Sequence, residues 1–286
     1  MTAAPEEETM GCCLSGCGAP LPVERARLAT ARGGRFNGVN ETHKLLQSHR
    51  SIRKFVDEPL PDDTVAEIVR CATAAATSSN LQATTVIRVR NPDTRARIAE
   101  VAGGQEHIRT AGAFLVWCAD FARPGLACEI GGGSTTTGMT EQFIIATVDV
   151  ALAAQNAVVA AESLDLGICY IGAIRNDPQT VADLLELPDH VYPVFGLCIG
   201  VPDQDPEVKP RLPIDLVLKE EVYGKTGLDV ERERIAAYDE TMREYYRSRT
   251  GGTKESSWSE EMARLLDGER RPHMRQFLAD RGFDMR

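Results

Sequence analysis

His49-Arg50-Ser51-Ile52-Arg53-Lys54-Phe55 gathers two arginines, a lysine, a histidine and a hydroxyl into seven residues. Pro59 and Pro61 end the stretch and open an acidic helix start at Asp62-Asp63. Extended backbone sends alternate side chains to opposite sides, which sets His49, Ser51 and Arg53 against Arg50 and Ile52. Three polar groups then converge on one bound molecule. The formal net charge of the 286-residue chain is -10, so a local concentration of cations reads as a site for a small anion. The competing reading is a solvated basic surface ahead of a helix, and the rest of the chain weighs against it.

Outward from the motif, a short helix from Glu41 with Leu45 and Leu46 precedes it, and Val65, Ile68, Val69 and Ala72 share one face of the helix that follows. Thr77 to Gln82 breaks that helix with small hydroxylic residues. Thr84 to Arg90 and Phe114 to Ala119 read as strands, separated by a helix near Pro92 to Val101 that Gly103-Gly104 ends. Residues 122–138 are expected to be a long loop. Their Gly131-Gly132-Gly133 triplet lacks the Lys-Ser/Thr or G-x-G-x-x-G context of a phosphate cradle. Thr140 to Leu164 is the longest helix, apolar on more than one face. It carries Asp149, Gln155, Asn156 and Glu162, which favours a helix buried in a domain centre or dimer interface over a membrane span. Gly167 to Gly172 and Val191 to Gly200 are two further strands, and Asp203 to Pro213 is a proline-rich extended arm. Helices at Leu228 to Arg247, Trp258 to Leu266 and Pro272 to Ala279 close the chain, the first two separated by a flexible loop at Thr250 to Thr253. Helices before, between and after strands, without strict βαβ alternation, give an α+β domain with a mostly antiparallel sheet.

Hydrophobic content of 43% with 26% charged residues suits an ordinary globular protein. The acidic balance argues against nucleic acid, because a phosphate backbone demands a basic face. Residues 1–38 differ in composition and read as a flexible N-terminal extension, leaving 39–286 as the functional domain. Cys12, Cys13 and Cys17 lack a fourth ligand at finger spacing, so no metal is expected. Most of the later cysteines, Cys71, Cys118, Cys128, Cys169 and Cys198, sit in apolar runs, as reduced thiols of a cytoplasmic protein do. No secretory signal is visible at the N-terminus.

Further blocks follow the basic motif in order: Thr77-Ser78-Ser79-Asn80-Leu81-Gln82, Gly103-Gly104-Gln105, Trp117-Cys118-Ala119-Asp120-Phe121, Asp149 to Asn156, Tyr170-Ile171-Gly172, Lys209-Pro210-Arg211-Leu212-Pro213 and Trp258-Ser259. Over about residues 41–286 the series resembles the FMN-dependent nitroreductases, specifically the NADPH-dependent, oxygen-insensitive nitroreductase A and flavin reductase P group. The resemblance implies a nitroreductase-like fold, a central mostly antiparallel sheet flanked by helices, assembled as an intertwined homodimer. It implies bound FMN, NADPH as electron donor, and small-molecule acceptors such as nitroaromatics, quinones or flavins, reduced by two electrons in a ping-pong cycle.

By the same resemblance, His49 and Ser51 with Lys209 and Arg211 hold the flavin phosphate and ribityl end, with Arg50 beside them. Arg53 lies against the pyrimidine end of the ring, Gln105 makes an amide contact, and the backbone around Tyr170, Ile171 and Gly172 approaches N5. Thr77, Ser78 and Ser79 touch flavin near the subunit junction, and Arg175, Arg249 and Lys254 are the candidates for the NADPH phosphates. From spacing alone, Gly172 reads equally as a strand-end turn, and Thr77 to Ser79 as a helix-terminating loop. Asn80, the glycine-rich insertion and the N-terminal extension depart from the family pattern. Two other readings stand beside the main one: a flavin reductase supplying reduced FMN to a monooxygenase, and a flavin-binding redox sensor without turnover.

Overall fold

Strand β2, Ala113–Asp120, is buried at every position and pairs on both sides, which only a strand apolar on both faces can do. A computed structural model of the chain describes residues 38–224 and 227–286; the expectations for the N-terminal extension and for Cys12, Cys13 and Cys17 lie outside the described residues. The sheet holds four strands in the order β1-β2-β4-β3, with β1 at Thr84–Arg88, β3 at Gly167–Ile171 and β4 at Val191–Gly200. Every neighbouring pair is antiparallel. The β2–β4 register shifts between Trp117, opposite Phe195, and Cys118, opposite Pro193. Pro193 has no N–H to offer the ladder, and a bulge is where a sheet tolerates that loss.

Helices α1 (Glu41–Gln47), α2 (Asp62–Thr73), α3 (Pro92–Val101), α4 (His107–Thr110), α5 (Ala122–Ile130), α6 (Thr140–Glu162) and α7 (Pro178–Leu184) flank the sheet or connect its strands. After β4 come α8 (Ile214–Val217), α9 (Leu228–Arg249), α10 (Trp258–Leu266) and α11 (Met274–Asp280). One large core joins the sheet to α2, α3, α6 and α7. A second, small core of Tyr238, Met242 and Tyr245, with Leu212, Tyr246 and Trp258 packed on it, belongs to α9, α10 and the arm.

The expected long loop at 122–138 is corrected in its first half, because α5 occupies Ala122–Ile130. Pro124 stands in the first turn, where a missing N–H costs nothing, and Asp120 Oδ1 accepts the Arg123 backbone N–H at 3.1 Å. The glycine triplet begins only at the helix end, with Gly131 as its cap.

Helix α6, of 23 residues, is the one helix among the described residues long and apolar enough to cross a membrane. Its packing makes it a core helix: Ala146, Asp149, Val150, Ala153, Ala154, Ala157, Val158 and Ala161 are buried. Its opposite side leaves Ile144, Val148 and Leu152 exposed at 48%, 49% and 43%, an apolar stripe at helical spacing.

The basic motif runs along the sheet margin. Ser51 bridges Ile168 in parallel and Phe55 bridges Pro202 in antiparallel fashion, while Ile52 N–H donates to Ile168 O at 2.8 Å and Asp203 N–H to Lys54 O at 2.9 Å. Ile52 is buried directly over Gly167, where an added Cβ would lie 2.7 Å from Ile52 Cγ1 and 2.8 Å from its Cβ. Branched Ile52 cannot swing clear. Gly167→Ala is therefore expected to lift the motif off β3 and to cost about 1–3 kcal/mol, read as a lowered melting temperature; an unchanged melting curve would show that the motif does not depend on this contact.

Candidate active site

Two segments distant in sequence build a basic cleft. Arg50 pairs with Asp205 at 2.7 Å and donates to Pro206 O at 3.4 Å, which pins the proline-rich arm across the motif. Lys209 and Arg211 thereby come to line one cleft of about 100 Å³ with His49, Ser51, Arg53 and Arg249. Ile52 points the other way into the core, as strand alternation predicts, while Arg50 borders both this cleft and the cavity behind it. Among the described residues, Arg53, Lys209, Arg211 and Arg249 have no carboxylate partner within salt-bridge distance. Two are instead held by phenols: Lys209 Nζ donates to Tyr246 OH at 3.0 Å and Arg249 to Tyr245 OH at 2.8 Å. Cations left unneutralised around one small cleft of an acidic protein form a positive focus that a multiply charged anion relieves.

The charge of Arg53 reaches two other elements. It opposes protonation of His107, whose pKa is lowered first by burial and then by Arg53, and it partly offsets the rise that burial imposes on the Cys169 thiol. Arg53 thus stands within electrostatic reach of both the Gln105–His107 segment and the end of β3 that runs on into Tyr170, Ile171 and Gly172. Gln105 donates its amide to Ala102 O at 3.0 Å, and Tyr170 packs edge-on against Phe195 at 5.0 Å. Gly172 opens a 3-10 turn, Gly172–Asn176. Arg175, in that turn, lies over Gly172, 3.1 Å from where a Cβ would stand, and donates to Val194 O at 2.5 Å, the carbonyl of the residue skipped by the β-bulge. Burial, and then neighbouring Arg271, lower its pKa. It is not part of the basic cleft.

Lys254 is also outside the cleft lining. Its ammonium lies 4.2 Å from the Tyr246 ring centroid and 2.9 Å from Glu261, whose pKa it holds down at about 2 together with Ser256 and Arg264. Tyr246 thus connects Lys254 to Lys209.

Thr77, Ser78 and Ser79 sit apart from the cleft of their own chain. Asp149, buried in α6, accepts from the Thr77 hydroxyl, from Ser78 N at 3.1 Å and from Ala83 N at 3.1 Å. This carboxylate holds a loop in which Ser79, Asn80 and Gln82 adopt φ of 47°, 57° and 52°, a left-handed conformation that non-glycine residues adopt at a cost. In the sequence Asp149 interrupts an apolar helix and opens the family block Asp149 to Asn156, but neither fact gives it a role; a lone carboxylate in such a run is the available signal. Glu162, the last residue of α6, meets His49 Nδ1 through Oε1 at 2.6 Å, and it too went unassigned.

No thiolate nucleophile emerges from the buried cysteines. Burial, with Asp120 nearby, pushes the Cys118 thiol up to about 12, and burial raises Cys169 and Cys198 as well. Among the described residues no three His, Cys, Asp or Glu side chains form a metal-ligating group.

Known proteins match both segments that build the cleft. Residues 46–201 match the nitroreductase family model and residues 209–286 the model of the nitroreductase family C-terminal domain, so each half of the cleft lies in one of the two. The chain is 40% identical over 248 residues to the oxygen-insensitive NADPH nitroreductase of Salmonella typhimurium, covering 87% of this chain and 100% of that protein. It is similar to the solved structure of NfrA1 from B. megaterium, with TM-score 0.83 and 42% identity over 86% of this chain and 100% of that one. A third relative is the NADPH:FMN oxidoreductase of Vibrio harveyi complexed with NAD+, at TM-score 0.77 and 38% identity over 86% and 100% of the two chains.

Proposed function

Since the chain belongs to the nitroreductase family, we propose from its own geometry that the basic cleft holds FMN and that the protein passes two electrons from NADPH to small-molecule acceptors. The observation that carries the reading is the convergence of His49, Ser51, Arg53, Lys209, Arg211 and Arg249 on one cleft with four of their cations lacking a carboxylate partner among the described residues. A phosphate dianion fits such a donor set. When bound, FMN supplies the hydride and electron chemistry, and the protein supplies position and electrostatics.

Lys209 and Arg211 hold the phosphate from the arm, His49 and Ser51 from the motif, and Arg50 locks the two segments together through Asp205. Arg53 stands toward the ring end, beside Gln105 and the backbone of Tyr170, Ile171 and Gly172. Its fixed positive charge favours the electron-rich ring over the oxidised one. Arg53→Ala is expected to keep the fold and to lower the flavin midpoint potential, with slower reduction by NADPH; a potential equal to wild type would remove Arg53 from the ring. Arg249, on the cleft, and Lys254 and Arg175, beyond it, are the cations for the NADPH phosphates.

The enzyme works as a homodimer built on residues 39–286. The exposed stripe Ile144, Val148 and Leu152 on α6 supports this assembly, because such a face is stable in water only when covered. Thr77, Ser78 and Ser79, remote from their own chain's cleft, serve the cleft of the second copy. A cytoplasmic location accords with the free thiols of Cys71, Cys118, Cys128, Cys169 and Cys198.

The test is an anaerobic visible spectrum of the purified protein before and after one equivalent of NADPH. Flavin bands that bleach, and return on adding a quinone or nitroaromatic, are the expected result. Bands that persist under NADPH would favour the redox-sensor reading, and a protein that cannot be loaded with FMN would overturn the cofactor assignment. A flavin reductase serving a monooxygenase is distinguished by its rate with free FMN as acceptor.

A further inference from the structure

Glu162 occupies an electrostatically unfavourable place. It ends α6, which carries no basic residue in its last turn, so its carboxylate lies at the negative pole of the helix dipole, where cations are preferred. The side chain is only 14% exposed, and its single polar partner among the described residues is His49 Nδ1, at 2.6 Å. A local choice that opposes the fold's own preferences is characteristic of function.

The imidazole of His49 links the basic cleft to a carboxylate that lines a different cavity. Glu162 lines the one behind the motif, with Arg50, Ile52 and Asp205, whereas His49 lines the basic cleft. With Nδ1 engaged by the carboxylate, the ring cannot flip, and its Nε2 edge is left without a partner among the described residues. We propose that Glu162 is the positioning residue for the anionic end of the flavin: it orients His49 so that Nε2 addresses the phosphate, and its charge compensates a ring that donates from both nitrogens. The same arrangement, a carboxylate behind a histidine in front of a ligand, is used wherever an imidazole must present one nitrogen in a fixed direction. Glu162 thus strengthens anion binding from outside the cleft, whose own lining carboxylate, Glu207, accepts from the Ser248 hydroxyl at 3.1 Å. This inference rests on the reading that the cleft holds the flavin phosphate.

FMN and riboflavin differ by that phosphate, so their affinities separate a phosphate effect from a general loss of structure. Both are titrated into the flavin-free full chain of the wild type, Glu162→Ala, Glu162→Gln, His49→Ala and the Glu162→Ala/His49→Ala double variant. Glu162→Ala is expected to weaken FMN about tenfold, one charge-assisted hydrogen bond's worth, and to leave riboflavin unchanged. The double variant is expected to bind FMN no more weakly than His49→Ala, since Glu162 acts only through that ring. Glu162→Gln preserves volume and an acceptor oxygen while removing the charge, and is expected to lose part of the same FMN selectivity. It decides the matter if the alanine variant does not fold. An unchanged ratio of FMN to riboflavin affinity in both Glu162 variants, or losses that add in the double variant, would overturn the proposal. If His49→Ala itself leaves the ratio unchanged, the phosphate assignment of the cleft fails instead.

Discussion

Protein carrying Lys209→Ala together with Arg211→Ala is expected to purify largely as colourless apoprotein. The two side chains are the arm's whole cationic contribution to the cleft, and neither is neutralised by a carboxylate among the described residues. Charge-assisted hydrogen bonds contribute about 1.5–3 kcal/mol each. Losing both weakens FMN on the order of a hundred- to ten-thousand-fold, enough for the cofactor to leave during purification. The fold should survive, because both residues lie on an irregular arm outside the main core. The measurement is flavin absorbance per chain, beside a melting curve of the apoprotein; full occupancy in the double variant would sink the phosphate assignment.

A comparable loss, in stability rather than in cofactor, is expected from Asp149→Ala. The carboxylate satisfies a hydroxyl and two backbone N–H groups, and it holds Ser79, Asn80 and Gln82 in left-handed backbone. Truncation leaves these donors without an acceptor beside a buried helix face, which costs roughly 3–5 kcal/mol even after the loop recovers its backbone strain. A melting temperature lower by about 10 °C follows for a chain of this size. Asp149→Asn keeps one acceptor oxygen and should lie between. If Asp149→Ala melts with the wild type, the loop is held by other contacts and the carboxylate has another purpose.

Regular elements were legible in the sequence because their signals are local. The β-branched residues of Thr84–Arg88 and the unbroken apolar run of Phe114 to Ala119 each announce their element from neighbouring residues. Helix α5 lacks such a signal: the carboxylate that accepts from its first turn, Asp120, lies in the strand before it, and the glycines after it dominate the composition. The motif's two-sidedness was also legible, since alternation in an extended chain needs only neighbours. The family resemblance then joined His49 to Lys209, residues that no local pattern connects. What neither route supplied were the roles of Asp149 and Glu162, both on α6 and each acting on a segment more than sixty positions away. A carboxylate in a helix reads alike whether it faces water or supports a distant loop; only the packing of α6 against both segments tells them apart.

The separate small core of Tyr238, Met242 and Tyr245 has a consequence for how the molecule opens. Half of the anion clamp rests on helices that share little with the sheet's interior, so this part can unfold locally while the sheet stays closed. Amide hydrogens in Leu228–Arg249 and Trp258–Leu266 should then exchange faster than those of β2 and β4. FMN seated as proposed bridges both parts, so mass action makes the ligand a latch on that opening: exchange in the C-terminal helices should slow on flavin loading, while exchange in the sheet stays nearly as it was.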